Sequence, residues 1–184
     1  MVRGEAGALG GYGKRREFSM FRLGALIATF AVLVTFSAQA ADPSLSAQAN
    51  ASFLAANAKK PGVVVTPSGL QYRVIHSGFG KRPTAFDTVT VNYSGQLING
   101  TVFDSTEPGL PANFQVNRLI PGWTEALELM REGDHWQLVI PSKLAYADRG
   151  AGDAIPPNQV LVFDLEMLKV TPPPPSHDKD DENQ

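Results

Sequence analysis

Aromatic side chains and one carboxylate recur through the middle of the chain at positions that could line a binding pocket. Phe103 and Tyr146 flank turn-like segments, where a large ring is not forced into the core. Asp104 follows Phe103, although before Ser105 it is equally typical of a turn cap. Phe103 and Tyr146 are therefore harder to explain as core residues than the other aromatic residues of the chain.

Three more aromatic residues also have a purely structural explanation. Trp123 falls on the apolar face of a predicted helix, and Tyr93 and Phe163 fall on apolar faces of predicted strands. Each residue alone is typical of a protein core. Their combination with Phe103 and Tyr146 favours a pocket.

Other kinds of site find little support. The 184 residues include no cysteine, which excludes disulfides, thiolate metal sites and cysteine nucleophiles. His76, His135 and His177 lie in different predicted elements without carboxylate-rich ligand spacing, so neither a metal nor another cofactor is predicted. Ser94 or Ser142 could be combined with a distant His and Asp, but no nucleophile-elbow motif surrounds them.

Alternating apolar and polar residues predict antiparallel strands that cover a core with one face. The apolar positions are Leu70, Tyr72 and Val74; Val89, Val91, Tyr93 and Leu97; Trp136, Leu138 and Ile140; and Leu161, Phe163, Leu165 and Met167. The intervening residues, Val139 and Val162 among them, are predicted to face away from that core. Asn99 and Gly100 predict a hairpin turn, because both residues tolerate positive φ.

One amphipathic helix interrupts these strands. Pro121 suits its first position and Gly133 its end. The residues that share one face at helical spacing are Trp123, Ala126, Leu127 and Met130. The predicted fold is α+β: a curved antiparallel β-sheet half-barrel wrapped around one short amphipathic helix.

The chain divides into four predicted segments. Residues 1–40 form a signal peptide, 41–60 a short helical arm with Ser44 as its N-cap, and 61–171 the sheet-and-helix domain. Residues 172–184 form a disordered tail, because four prolines and a polar, acidic sequence cannot bury surface.

The signal-peptide prediction rests on basic residues before the apolar run 23–36 and an Ala-x-Ala site at 38–40. That run is shorter than the ~20 residues of a membrane span, so no stable span is predicted. Met20 is an alternative start. Arg15 and Arg16 leave a twin-arginine route open, although the general secretory route is favoured. From Ala41 onward, 16 acidic side chains oppose 11 basic ones, which argues against nucleic-acid binding.

Six strings resemble the FKBP-type peptidyl-prolyl cis–trans isomerases, in that family's order and nearly at its spacing. They are VNYSG at 91–95, GTVFDS at 100–105, LIPGW at 119–123, LAYA at 144–147, IPPN at 155–158 and LVFDL at 161–165. The segments 53–60 and 68–72 resemble the bacterial envelope branch, which includes macrophage-infectivity-potentiator-like proteins. Many of those carry a long dimerisation arm. Only about 20 residues precede the domain here, so a monomer is favoured over a dimer.

The resemblance implies an enzyme that rotates X–Pro bonds in exported proteins of the bacterial periplasm or envelope, without a covalent intermediate. Trp123 would form the floor of a proline pocket, with Tyr93, Phe103, Leu119, Ile120 and Phe163 as its walls. Asp104 at the rim, the Tyr146 hydroxyl and the Ile120 backbone N–H would orient the substrate, and Ile155 would lie on a flap above. Proline-containing polypeptides are the implied partners, and macrolides such as tacrolimus and rapamycin the implied ligands.

The rim departs from the family's best-known members. They carry an aromatic residue near positions 112 and 113, where Ala112 and Asn113 stand here. Ala151 and Ala154 replace larger flap residues, and the segment at 117–118 is shorter. A more open rim is therefore predicted. Two other functions stay open: an FKBP-like module that binds chains with little catalysis, and an envelope protein that docks through its Pro-rich tail.

Overall fold

The computed structural model describes residues 42–174 of the chain. The predicted signal peptide and most of the predicted tail lie outside the described residues. None of the helices within 42–174 has both the length and the apolar content needed to cross a membrane.

Two helices and seven strands build this part of the chain. In chain order they are α1 (Ala47–Asn57), β1 (Val63–Val65), β2 (Gln71–His76), β3 (Thr88–Leu97), β4 (Val102–Ser105), β5 (Ala112–Gln115), α2 (Pro121–Leu129), β6 (His135–Ile140) and β7 (Leu161–Thr171). The strands pair antiparallel in the order β1-β2-β6-β7-β3-β4, and β5 pairs with the first half of β3. The predicted α+β fold, a curved sheet around α2, is confirmed.

The main core lies between α2 and the sheet. The predicted helix face is buried: Trp123 is 4% exposed, and Ala126, Leu127 and Met130 are inaccessible to solvent. The apolar positions predicted on β3, β6 and β7 pack against it. Helical and strand periodicities therefore predicted correctly which side chains meet in this core.

The sheet is also buried on part of its other face, contrary to the prediction of a single apolar face. Val139 on β6 and Val162 on β7 are 2% and 6% exposed, respectively, and Val160 is 2% exposed. Phe53 and Leu54 of α1 pack against these valines. The prediction failed here because α1 folds back onto the sheet and covers it locally.

The start of α1 also differs from the prediction. Ser46, not Ser44, is the N-cap, and its hydroxyl accepts a hydrogen bond from the Ala49 N–H at 3.2 Å. Ser44 lies instead in a preceding 3-10 turn, where its N–H donates to Asp42 at 2.9 Å. Pro43 opens that extra turn, so the α-helix begins later than composition alone indicates.

The β3–β4 hairpin forms where Asn99 and Gly100 predict it. Gly100 has φ +86° and its N–H donates to the Leu97 carbonyl at 2.9 Å. Asn99 does not adopt positive φ; its side chain accepts from the Thr101 N–H at 3.0 Å. Only one of the two residues therefore supplies the left-handed conformation.

Candidate active site

A cavity of about 150 Å³ opens beside α2, and eight of the nine predicted site residues line it. Drug-sized ligands usually occupy pockets of ~300–1,000 Å³, so this cavity suits one small ring of a larger molecule. The lining residues are Tyr93, Phe103, Asp104, Phe114, Leu119, Ile120, Trp123, Tyr146 and Phe163.

Trp123 lines the cavity and contacts three of its other aromatic residues. Pro121 begins α2 two residues earlier, which places Trp123 in the first turn of the helix. Gly122 lets α2 approach β6 closely, since a Cβ there would lie 2.4 Å from Ile140 Cγ2. The Trp123 indole N–H is buried and has no hydrogen-bond partner within residues 42–174. The ring is thus held by packing.

Three aromatic rings stand nearly perpendicular to the Trp123 ring. Tyr93 and Phe163 lie 5.2 Å from it at 89° and 83°, and Phe114 lies 5.8 Å from it at 88°. Phe103 in turn meets Phe163 at 84°. Edge-to-face contacts of this kind are favourable between aromatic rings. Because the neighbours stand on edge, Trp123 serves as a floor with walls around it.

Gly95 allows two of these walls to meet. A Cβ at this position would lie 2.6 Å from Phe163 and 2.7 Å from Phe103. Both distances are shorter than non-bonded carbon atoms tolerate. Gly95 on β3 faces Asp104 of β4 on one side and Phe163 of β7 on the other. The glycine therefore leaves the space that the Phe103 and Phe163 rings fill.

A hydrogen bond closes the polar side of the cavity. The Tyr93 hydroxyl donates to Asp104 Oδ2 at 2.6 Å. Burial raises the pKa of Tyr93 well above its ordinary value, and the bond to the Asp104 carboxylate raises it further. Tyr93 therefore stays protonated and keeps one Asp104 oxygen occupied, which leaves the other oxygen at the exposed rim.

Known proteins match the chain in both sequence and structure. The model of the FKBP-type peptidyl-prolyl cis-trans isomerase family matches residues 80–168, and that of the domain amino terminal to it matches residues 23–74. A solved peptidyl-prolyl cis-trans isomerase from Pseudomonas syringae is 38% identical with a TM-score of 0.65, over 71% of this chain and 98% of that one. The chain belongs to the FKBP-type isomerase family.

Two curated relatives place it near bacterial members of the FKBP-type family. The outer membrane protein MIP of Legionella longbeachae is 55% identical over 120 residues, which are 65% of this chain and 52% of that protein. The FKBP-type 22 kDa peptidyl-prolyl cis-trans isomerase of Escherichia coli is 56% identical over 119 residues, which are 64% of this chain and 58% of that protein. The chain thus spans a little over half the length of these relatives.

Phe114 is the pocket residue that sequence reasoning missed. The aromatic expected in FKBP-type proteins near 112 and 113 is present one position later, in β5. Phe114 packs against Tyr93 at 5.9 Å as well as against Trp123. The expectation that the rim lacks this aromatic was therefore wrong. The sequence offers only a weak signal for it, since the alternation that puts Phe114 on one strand face with Ala112 extends over four residues.

Ile155 is the predicted residue that does not line the cavity. It is 5% exposed and packs in the main core. Its backbone pairs with Ala151, with N–H to carbonyl distances of 2.8 and 3.1 Å. Ile155 thus anchors the flap, residues 148–160 between Ala147 and β7, to the core and is not among the residues that line the pocket.

Tyr146 and Ile120 approach the pocket from two other elements. Tyr146 follows the 3-10 turn Ser142–Leu144 and is 38% exposed, so its ring borders both cavity and solvent. Ile120 is the N-cap of α2, directly after Leu119. The pocket of this FKBP-type domain therefore combines an apolar floor and walls with polar groups along one rim.

Proposed function

We propose that this chain catalyses rotation about X–Pro peptide bonds. The observation that carries the proposal is the Trp123 floor with three aromatic rings standing perpendicular to it. A cavity of this shape and size accepts the small apolar ring of a proline residue and leaves the rest of a polypeptide outside. Membership of the FKBP-type family supports the same activity.

The reaction needs no covalent chemistry from the protein. Rotation about the amide is slow because partial double-bond character gives a barrier of ~18–20 kcal/mol. The planar amide is charge-separated, and that separation is lost as the bond twists. An apolar pocket disfavours the planar form more than the twisted one, which lowers the barrier. The aromatic lining supplies this environment.

The polar groups orient the substrate in this scheme. Tyr146 offers its hydroxyl to a substrate carbonyl, and the Ile120 N–H at the start of α2 is a second donor. Asp104, with one oxygen held by Tyr93, presents the other to the substrate backbone. None of the three is required to transfer a proton.

The function is tested by a proline-peptide isomerisation assay on the full chain. We expect Asp104→Leu and Tyr146→Phe each to lower kcat/KM by roughly three- to tenfold, since ~1.4 kcal/mol of transition-state binding is worth a factor of ten. Asp153→Leu, on the exposed flap, and Tyr72→Phe, outside the pocket, are matched controls that retain activity. A wild-type rate equal to the uncatalysed rate, with peptide binding retained, would instead favour a binding module.

We further propose that the protein acts in the bacterial envelope on exported, proline-containing polypeptides. The basic and apolar N-terminal sequence and the likeness to an outer membrane protein support this assignment. Macrolides of the tacrolimus and rapamycin type are proposed ligands, because one ring could enter the cavity while the rest lies across the rim. Phe114 completes the wall that such a ligand would contact.

A further inference from the structure

Two buried pairs of side-chain amides connect helix α1 to the rest of the domain. Asn50 and Asn57 are 5% and 4% exposed, although the helix lies at the surface. Asn57 donates to Gln71 Oε1 at 2.9 Å, at the first residue of β2. Asn50 donates to Gln159 Oε1 at 3.0 Å, beside the end of the flap. The two pairs thus anchor one helix at two different places.

The Asn50 pair uses nearly all of its hydrogen-bonding capacity. Asn50 Oδ1 accepts from the Val160 N–H at 2.8 Å. Gln159 Nε2 donates to the carbonyls of Leu45 at 3.1 Å and Pro157 at 3.0 Å. Both amides are buried, so each lost bond would leave an unsatisfied polar group. Asn50 of α1 therefore holds Gln159 and Val160 directly, and Pro157 through the Gln159 side chain.

These residues are bonded in turn to the segment that carries Tyr146. The Asn158 N–H donates to the Ala147 carbonyl at 2.7 Å. Asn158 and Ala147 have φ of +62° and +50°, a conformation that costs energy in residues with a side chain. Such strained residues persist only where their surroundings hold them. Asn158 and Ala147 therefore link Gln159, which Asn50 holds, to Tyr146.

From this arrangement we propose that Asn50 and Gln159 are positioning residues for the isomerase reaction. They hold residues 157–158, which hold Ala147 and so orient the neighbouring Tyr146 ring at the pocket rim. Helix α1 is then part of the catalytic apparatus even though it does not contact the pocket. The effect of Asn50 and Gln159 on catalysis rests on the proposed function, whereas their effect on the conformation of residues 145–158 does not.

The test compares Asn50→Leu with Asn57→Leu, which breaks the amide pair at the other end of the same helix. We expect Asn50→Leu to lower kcat/KM roughly two- to tenfold, chiefly by raising KM, and Asn57→Leu to leave it unchanged. In a Tyr146→Phe background, Asn50→Leu should cause a smaller further loss, because the hydroxyl that it would misplace is already absent. Gln159→Met, which keeps the chain length without the amide, is the second variant should Asn50→Leu fold poorly.

Amide hydrogen exchange supplies a readout that does not depend on activity. Asn50→Leu or Gln159→Met should speed exchange in residues 145–158, whereas Asn57→Leu should speed it only near β2. If the Asn50 and Asn57 variants changed kcat/KM and hydrogen exchange equally, the amide pairs would be purely structural and the proposal would be wrong. It would also be wrong if neither variant changed kcat/KM or hydrogen exchange. An inactive wild type would refute the proposed function, while the exchange pattern would still test the effect on the conformation of residues 145–158.

Discussion

The contact between Tyr93 and Asp104 links the packing of the pocket to its polarity. Tyr93 pairs with Leu165 of β7, and its ring packs edge-on against Trp123. The same side chain donates to Asp104 at 2.6 Å. Tyr93 thus forms part of the pocket wall and also holds the Asp104 carboxylate at the rim. A phenylalanine at this position could form the wall but could not donate a hydrogen bond to Asp104.

This contact predicts a specific alkaline sensitivity. Burial, aided by the Asp104 carboxylate, raises the pKa of Tyr93 above its ordinary value of 10.0. Above about pH 10 the unfolded chain therefore loses this proton while the folded chain retains it, and the free energy of unfolding falls. Urea unfolding over neutral to alkaline pH should show a shallower fall in Tyr93→Phe than in the wild type. Identical slopes would contradict the assignment.

At the residue scale the sequence predicted most of the pocket but not its full surroundings. The resemblance to FKBP-type motifs implied eight of the lining residues, because those motifs can be matched position by position along the sequence. Phe114 was missed because β5 is short and its alternation covers only four residues. Asn50 could not be recognised, since its partner Gln159 lies 109 residues away. Such pairings follow from tertiary structure alone.

At the scale of elements, β3 organises the site. It pairs with β7 along its length, with β5 at its start and with β4 at its end. Tyr93 lies on β3, while Phe114, Phe103 and Phe163 come from its three neighbours. The Phe103 and Phe163 rings can meet only because β3 has no side chain at Gly95, where a Cβ would overlap both rings.

Gly95→Ala tests this role of β3. The added methyl must displace the Phe103 and Phe163 rings, so we expect a loss of about 1–3 kcal/mol in the free energy of unfolding. The near-ultraviolet circular dichroism of the aromatic cluster should change as well. Ser94→Ala, the adjacent residue on the same strand, is the matched control and should alter neither greatly. An unchanged spectrum in Gly95→Ala would show that the walls do not depend on the glycine.

The sequence predicted helices and strands best where apolar residues recurred on a single face over many residues. The four apolar residues of the α2 face recur at helical spacing, and those of β3 alternate over ten residues, so both were identified. Helix α1 gave a weak signal because its inward face includes Asn50 and Asn57 rather than a continuous apolar stripe. For the same reason, the burial of Val139 and Val162 beneath it was not foreseen.

At the scale of the whole molecule, α1 connects the N-terminal segment to the isomerase domain. Its inward residues are already engaged: Phe53 and Leu54 pack on the valines of the sheet, and the two asparagines bond to Gln159 and Gln71. A helix that uses this face within its own chain cannot offer it to a second copy. We therefore expect this face of α1 to complete the domain and not to form an interface with a second copy.

We therefore expect the chain that begins near Ala41 to be monomeric, and light scattering coupled to size exclusion at several protein concentrations would measure this. Breaking both amide pairs, by Asn50→Leu with Asn57→Leu, should free α1 and expose Val139 and Val162, so that self-association appears in the variant alone. The control is Gln48→Leu, which adds a leucine on the exposed side of the same helix and should leave the mass unchanged. A wild-type dimer that persists on dilution would show that another surface mediates association.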